Sequence, residues 1–292
     1  MSTEKRWNLP ATRTGGVADA ELNERRERAA LDTPPVDGVP LANMNIGGVE
    51  CLVAGARGAS RALLHLHGGG FRIGTPRTWT NYATDLAQRT GCVVVVPDYH
   101  LAPEHPFPAA LHDAAAVYDE LVSSSSVFVG GDSAGGALAV SVAVAARDAG
   151  RPLPAGLVLL SPWLDLTVTA ASYAAFDGTD NMFSSLAANE AADAYLQGLP
   201  RNHALASPLH ADLAGLPDVL CFAGAEEVLV DDSLTFVTKA SRVGVRSELH
   251  VVPTMPHIWP VIMLAAEQTE QARAVIARFL TRQRLHSLLR SL

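Results

Sequence analysis

Only three cysteines, Cys51, Cys92 and Cys221, occur in 292 residues. Their odd number and wide, irregular spacing suit neither a disulfide framework nor a zinc site, and they fit a reducing compartment. Long runs of Lys or Arg are missing too, and 22 basic residues against 30 acidic ones leave a net charge of −8. A chain of that balance has little electrostatic hold on a phosphate backbone, so nucleic acid is excluded as the expected partner. No uninterrupted apolar stretch reaches the ~18 residues that a membrane-spanning helix requires. The polar start, from Met1 to Trp7, lacks the apolar core of an export signal. These absences predict a soluble, cytoplasmic protein with no stable membrane association. Internal repeats are also absent, and the one low-complexity run, residues 123–126, reads as a helix exit.

What is present is enough apolar residue, 48% of the chain, to bury a full-sized core. Short apolar runs recur at residues 62–66, 93–96, 127–129, 157–160, 219–222 and 249–252. Most are followed closely by Gly, Pro or Ser, the mark of strands buried on both faces. Helical patterns separate them, at residues 80–89, 109–121, 135–149, 232–242 and 268–285. This alternation predicts the α/β class, with a mostly parallel sheet covered by helices on both faces.

The rhythm fails between residues 161 and 218, where no comparable strand occurs. That stretch holds Trp163, Tyr173, Phe176, Met182, Phe183 and a helical piece over residues 186–196, and an insertion of this kind predicts a cap over the ligand side. The N-terminal 42 residues differ from the rest as well. A charged helical pattern at residues 21–31 is broken by the proline-rich stretch 32–40, which predicts an arm that packs with the cap. The expected division is residues 1–42 as arm, 43–162 as core, 163–210 as cap insertion and 211–292 as the second part of the core. A homodimer is the assembly kept open beyond the monomer.

The strongest chemical signal is Gly131, Ser133 and Gly135, a G-x-S-x-G sequence where a buried strand turns into a helix. That context is the one a nucleophile elbow requires, with the serine hydroxyl exposed on a sharp turn and the N–H groups of a helix N-terminus behind it. The plainer alternative is a glycine-rich turn in which Ser133 caps the helix. A second signal, His67-Gly68-Gly69-Gly70-Phe71, also follows a strand. Consecutive glycines allow backbone N–H groups to face a cavity, as an oxyanion hole requires, and His67 is placed to brace the loop.

A serine nucleophile needs a base. Of the ten histidines, only His203, His210, His250, His257 and His286 follow Ser133. His250 falls inside an apolar strand pattern, His203 and His210 in the insertion, and His286 in a basic C-terminal stretch. His257 follows the last strand in a loop, the place of a triad histidine. The acid belongs after the preceding strand, where Glu226, Glu227, Asp231 and Asp232 offer four carboxylates. Asp231 and Asp232 stand where a helix N-cap and first turn favour acids; Glu226 and Glu227 lie nearer the strand end.

With the glycine loop, the Gly130–Gly136 stretch around Ser133 and the Tyr99-His100-Leu-Ala-Pro-Glu-His-Pro-Phe-Pro motif, the chain resembles the bacterial hormone-sensitive-lipase-like family (family IV) of α/β-hydrolase carboxylesterases. The likeness runs over roughly residues 42–277. It implies the α/β-hydrolase fold and hydrolysis of short- to medium-chain acyl esters. The same scaffold implies, as alternatives, lactone, carbamate or N-acyl substrates, or a non-catalytic receptor. Family members carry Asp-Pro-Leu-x-Asp at the acid loop, and residues 227–231 here read Glu-Val-Leu-Val-Asp. The resemblance therefore places the triad acid at Glu227 and leaves Asp231 as a rival. It implies Gly68, Gly69, Gly70 and Ala134 as the oxyanion hole with His67 in support, and no metal or organic cofactor. His100 departs from the arginine more usual in the family. Phe71, Trp163, Phe183, Ile258 and Trp259 are the substrate-pocket candidates, with core packing as the alternative for each.

Overall fold

The apolar runs become strands for the reason their composition suggests: they carry apolar side chains on both faces and can be satisfied only between two layers. The structure, a computed structural model describing residues 7–282, pairs them in one eight-stranded sheet. Its strands are β1 (Leu41–Ile46), β2 (Val49–Ala54), β3 (Arg61–Leu66), β4 (Val93–Pro97), β5 (Ser126–Asp132), β6 (Leu157–Leu160), β7 (Val219–Gly224) and β8 (Ser247–Val252). The spatial order is β1-β2-β4-β3-β5-β6-β7-β8, with β1 and β2 antiparallel to their neighbours and the rest parallel.

Side chains alternate across this sheet, so each inner strand feeds two cores. Leu64, Leu66, Val129, Leu157, Leu159 and Cys221 point into one, beneath α3 (Ala109–Val122), α4 (Ala134–Asp148) and α7 (Val230–Arg242). Leu63, Val94, Phe128, Val158, Leu160 and Phe222 point into the other, beneath α2 (Thr80–Thr90) and α9 (Glu267–Thr281). Helix α4 is buried along its whole length to Ala146, and its run of Ala, Gly and Val lets it lie close against β5. All three cysteines are buried and unpaired.

Strands β1 and β2 were not among the expected runs, although β2 carries an apolar run over residues 51–54. They form a hairpin around Gly47 and Gly48, and β1 is mostly exposed, so it shows no continuous apolar run. The arm thus enters the sheet at Leu41, just inside the boundary expected at residue 42. The last helix ends at Thr281, and His286 with the basic tail lies outside the described residues. None of the described helices is long and apolar enough to cross a membrane.

Strand order reverses between β3 and β5, since the chain leaves β3 to one side and returns on the other. At such a switch point the loops after the two strands part, and a crevice opens at their C-terminal ends. Register brings those ends level, with Leu66 beside Gly131. Residues 161–218 hold no strand, as expected, and contribute α5 (Ala171–Phe176) and α6 (Ser185–Leu196). The arm lies along the body. Trp7 Nε1 donates to Asp119 at 2.6 Å, Arg13 donates to the carbonyls of Leu196 and Gln197, and α1 (Ala20–Ala29) follows.

Candidate active site

Ser133 sits between β5 and α4 with φ 51° and ψ −122°, a backbone conformation that costs a non-glycine residue about 1–3 kcal/mol. Its neighbours hold it there. A Cβ at Gly131 would run into the carbonyl of Gly135, and one at Gly135 into the carbonyl of Leu66. Only glycine at both positions lets strand, turn and helix approach this closely. The Ser133 side chain makes no capping bond to α4, so the capping alternative fails and the hydroxyl is left to the crevice. Ala134, wholly buried, follows as the first residue of the helix, where backbone N–H groups have no intrahelical partner.

The glycine loop after β3 lies alongside. Gly69 and Gly70 line the same cavity as Ser133. Gly68 does not: a Cβ there would meet the Asp132 carboxylate, so its bareness lets the loop pass over that side chain. His67 packs within the loop. Its Nδ1 bonds the Gly68 carbonyl at 2.8 Å, and its ring stacks on Tyr99 at 4.2 Å, while the Tyr99 hydroxyl donates to the His67 carbonyl at 2.6 Å. Burial pushes His67 down to about 4, so the ring is neutral. Beneath it lies a network the sequence did not reveal. Asp132 Oδ1, fully buried, accepts from Trp79 Nε1 at 2.7 Å and contacts His65 Nε2 at 2.9 Å. His65 falls inside the apolar run of residues 62–66.

His257 follows β8 and joins Ser133 and the two glycines on the cavity wall. Its Nδ1 lies 3.1 Å from Glu227 Oε2, and Glu227 is 1% exposed. Burial disfavours the charged imidazole, but the hydrogen bond and charge of Glu227, helped by Asp180 and Asp132, outweigh it and raise His257 above the ordinary 6.5. Ser161 Oγ accepts from Ile258 N at 3.0 Å and fixes the loop that carries the ring.

The rival acids are engaged elsewhere. Asp231 accepts from Ser172 N at 2.8 Å, and Asp232 accepts from Leu164 N at 2.7 Å and Asp165 N at 3.0 Å. Both stand in the first turn of α7, while the N-cap position is Leu229. Glu226 is exposed. The other histidines are occupied too: His250 stacks on Phe222, His210 bonds Asp165, and His203 packs on Phe107. His100 bonds Asp113 at 2.7 Å on the surface.

The cavity measures about 240 Å³. Phe183 and Ile258 line it, whereas Phe71, Trp163 and Trp259 do not. Those three are at most 1% exposed: Phe71 stacks on Tyr195 at 3.8 Å, Trp163 packs edge-on to Phe183 at 5.3 Å, and Trp259 packs edge-on to Phe222. Burial of the largest rings behind the wall corrects the expectation that they would form it. Lining residues not foreseen include Arg25, Arg72, Ile73, Met182, Val261 and Ile262, and the two arginines carry no local motif that marks them. No group of three His, Cys, Asp or Glu side chains among the described residues could hold a metal ion.

Comparison with known proteins bears on the fold and family. Residues 63–261 match a family model described as the alpha/beta hydrolase fold. The chain is 36% identical over 263 residues to an acetyl-hydrolase of Streptomyces hygroscopicus, covering 88% of this chain and 86% of the relative. It is 35% identical over 246 residues to an esterase of Acinetobacter venetianus, covering 78% and 80%. Among solved structures, a hormone-sensitive lipase from a metagenome library superposes with a TM-score of 0.85 at 34% identity, over 91% of this chain and 92% of that one.

Proposed function

The chain belongs to the bacterial hormone-sensitive-lipase-like family of α/β hydrolases and is a carboxylic ester hydrolase, and from that premise we propose that it cleaves short- to medium-chain acyl esters through a Ser133–His257–Glu227 triad. His257 takes the Ser133 hydroxyl proton as Oγ attacks the ester carbonyl, and the tetrahedral oxyanion is held by backbone N–H groups of Gly69, Gly70 and Ala134. The imidazolium then gives its proton to the leaving alcohol. Water, deprotonated by the same ring, hydrolyses the acyl-enzyme and returns Ser133 to its starting state. Glu227 orients the ring by accepting from Nδ1 and stabilises its cationic form. Every proton in this cycle moves between protein groups, substrate and water.

The observation that carries the reading is the 3.1 Å contact of His257 Nδ1 with a buried Glu227 on the wall that also presents Ser133. A short-chain preference is supported by the size of the cavity, about 240 Å³, and by Phe183 and Met182 from the insertion on its wall. On this reading residues 163–210 and the arm up to residue 42 act as a cap over a core of residues 43–162 and 211–292.

The experiment is the initial rate on p-nitrophenyl esters from acetate to palmitate, with wild type and Ser133→Ala side by side. The expected result is activity that peaks at short chains and falls by about 10⁴- to 10⁶-fold in the variant. Near-normal turnover by Ser133→Ala would overturn the mechanism.

A further inference from the structure

Two arginines from separate elements, Arg25 of α1 and Arg72 of the turn after the glycine loop, stand on the wall of the cavity that holds Ser133 and His257. No Asp or Glu shares that wall; the rest of it is mainly apolar, with Ile73, Met182, Phe183, Ile258, Val261 and Ile262. We propose that Arg25 and Arg72 bind an anionic group carried by the substrate, so that the preferred substrates are esters bearing a carboxylate a short apolar spacer away from the scissile carbonyl. This rests on the ester hydrolase reading above and specifies its substrate class.

The guanidinium groups are poorly matched by the protein. The Arg72 side chain is 11% exposed, yet it makes one long hydrogen bond, Nη2 to the Ala187 carbonyl at 3.4 Å. Both arginines share a single carboxylate, Glu190, which is 3.8 Å from Arg25 and 3.7 Å from Arg72 and is itself 48% exposed. Those separations are ion-pair contacts beyond hydrogen-bond length. Burial first, and then the like charge of Arg25, lowers the pKa of Arg72, with Glu190 and Asp19 opposing. The other nearby carboxylates, Asp19 and Glu21, line a second depression with Glu190, which Arg25 and Arg72 also border, and neither reaches the wall that holds Ser133. Two cations forced together at the edge of a dry apolar pocket are relieved by an anion that accepts from both, and guanidinium is suited to a two-pronged grip on carboxylate.

The site is rigidly placed. Arg26, next to Arg25, grips the carbonyl of Arg72 at 2.8 Å and both oxygens of Glu104 at 2.7 Å, so α1 and the Arg72 turn are fixed to each other. Preorganisation of this kind lowers the entropic cost of binding.

The test compares kcat/KM for mono-p-nitrophenyl adipate with that for p-nitrophenyl heptanoate, a neutral ester of similar length. In wild type the anionic-to-neutral ratio should fall as salt is added, because Arg25 is partly exposed and screened. In Arg25→Gln, and again in Arg72→Gln, the ratio should drop about 10-fold or more, the loss of one charge-assisted hydrogen bond. An unchanged ratio in both variants overturns the proposal and leaves the ester hydrolase reading standing. Should Arg72→Gln fail to fold, Arg25→Gln on the separate helix decides alone. If folded wild type cleaves neither ester, the ester reading fails, and calorimetric binding of monomethyl adipate then judges the arginines: binding weakened in Arg25→Gln upholds the site, and no binding, or binding equal in both proteins, overturns it.

Discussion

Glu227 reaches His257 through one carboxylate oxygen, while its other oxygen is buried without a hydrogen-bond partner. The longer acid therefore spans the gap with a single contact, and orientation of the ring rests on it. Glu227→Gln should cost more than about 10²-fold in kcat/KM by favouring the wrong imidazole tautomer. Asp231→Asn should cost little, because Asp231 serves Ser172 N and lies outside the hydrogen bonding of His257. The reverse ranking, measured on p-nitrophenyl acetate, would move the acid to Asp231. A second readout follows from the charge balance. The base must be neutral, and Glu227 lifts His257 above 6.5 against the effect of burial, so activity should rise with pH along a limb centred above that value. Removing the carboxylate leaves burial in command, and the limb of the residual activity in Glu227→Gln should shift to lower pH. At this scale the sequence was most legible for the placement of Ser133 and His257, which position at strand ends brings to one cavity wall. It was least legible for Asp132, His65 and Trp79, because a network formed by residues on three separate elements has no local pattern.

At the scale of elements, the inner parallel strands were legible because burial on both faces demands continuous apolar runs. The edge strand β1 was not, since its exposed face needs no apolar residue and Asn43 and Asn45 break the run of Met44 and Ile46, whereas β2 beside it is buried at five of its six positions and its run over residues 51–54 was passed over. Asp231 and Asp232 do fall in the first turn of α7, but the helix starts at Val230 with Leu229 at the N-cap, and Asp232 also joins α7 to the segment after β6. Its Oδ2 takes the N–H groups of both Leu164 and Asp165 at full burial. Asp232→Ala should strand two buried donors and cost about 2–4 kcal/mol. Asp232→Asn keeps an oxygen in place for both and should retain most of the stability. Chemical denaturation of the two variants checks this, and equal losses would mean that the carboxylate's charge matters more than its bonds.

For the molecule as a whole, the central question is how an N-terminal arm, in sequence only a charged helix followed by prolines, comes to border a catalytic cavity. The answer lies in Arg26. Its guanidinium binds Glu104 bidentately at 2.7 Å and the carbonyls of Arg72 and Ala102 at 2.8 and 3.0 Å, joining α1 to the turn beside the glycine loop and to the loop after β4. Arg77 pairs with Asp32, and Thr78 Oγ1 donates to the Ala29 carbonyl at 3.2 Å, so the far end of the helix is held as well. The core sheet makes none of these contacts, which is why loosening the arm should leave the chemistry intact. Arg26→Ala should cost about 1–3 kcal/mol of arm docking, as a partly buried charged pair loses one member. Because Arg25 and Ala29 form part of the cavity wall, a loosened α1 opens that side. The p-nitrophenyl ester profile should then extend toward longer chains, with the acetate rate little altered, and deletion of residues 1–32 should push it further in the same direction. A profile unchanged in both proteins would mean that chain length is limited by Phe183 and Met182 from the loop between α5 and α6, and that the arm contributes attachment without selecting substrate.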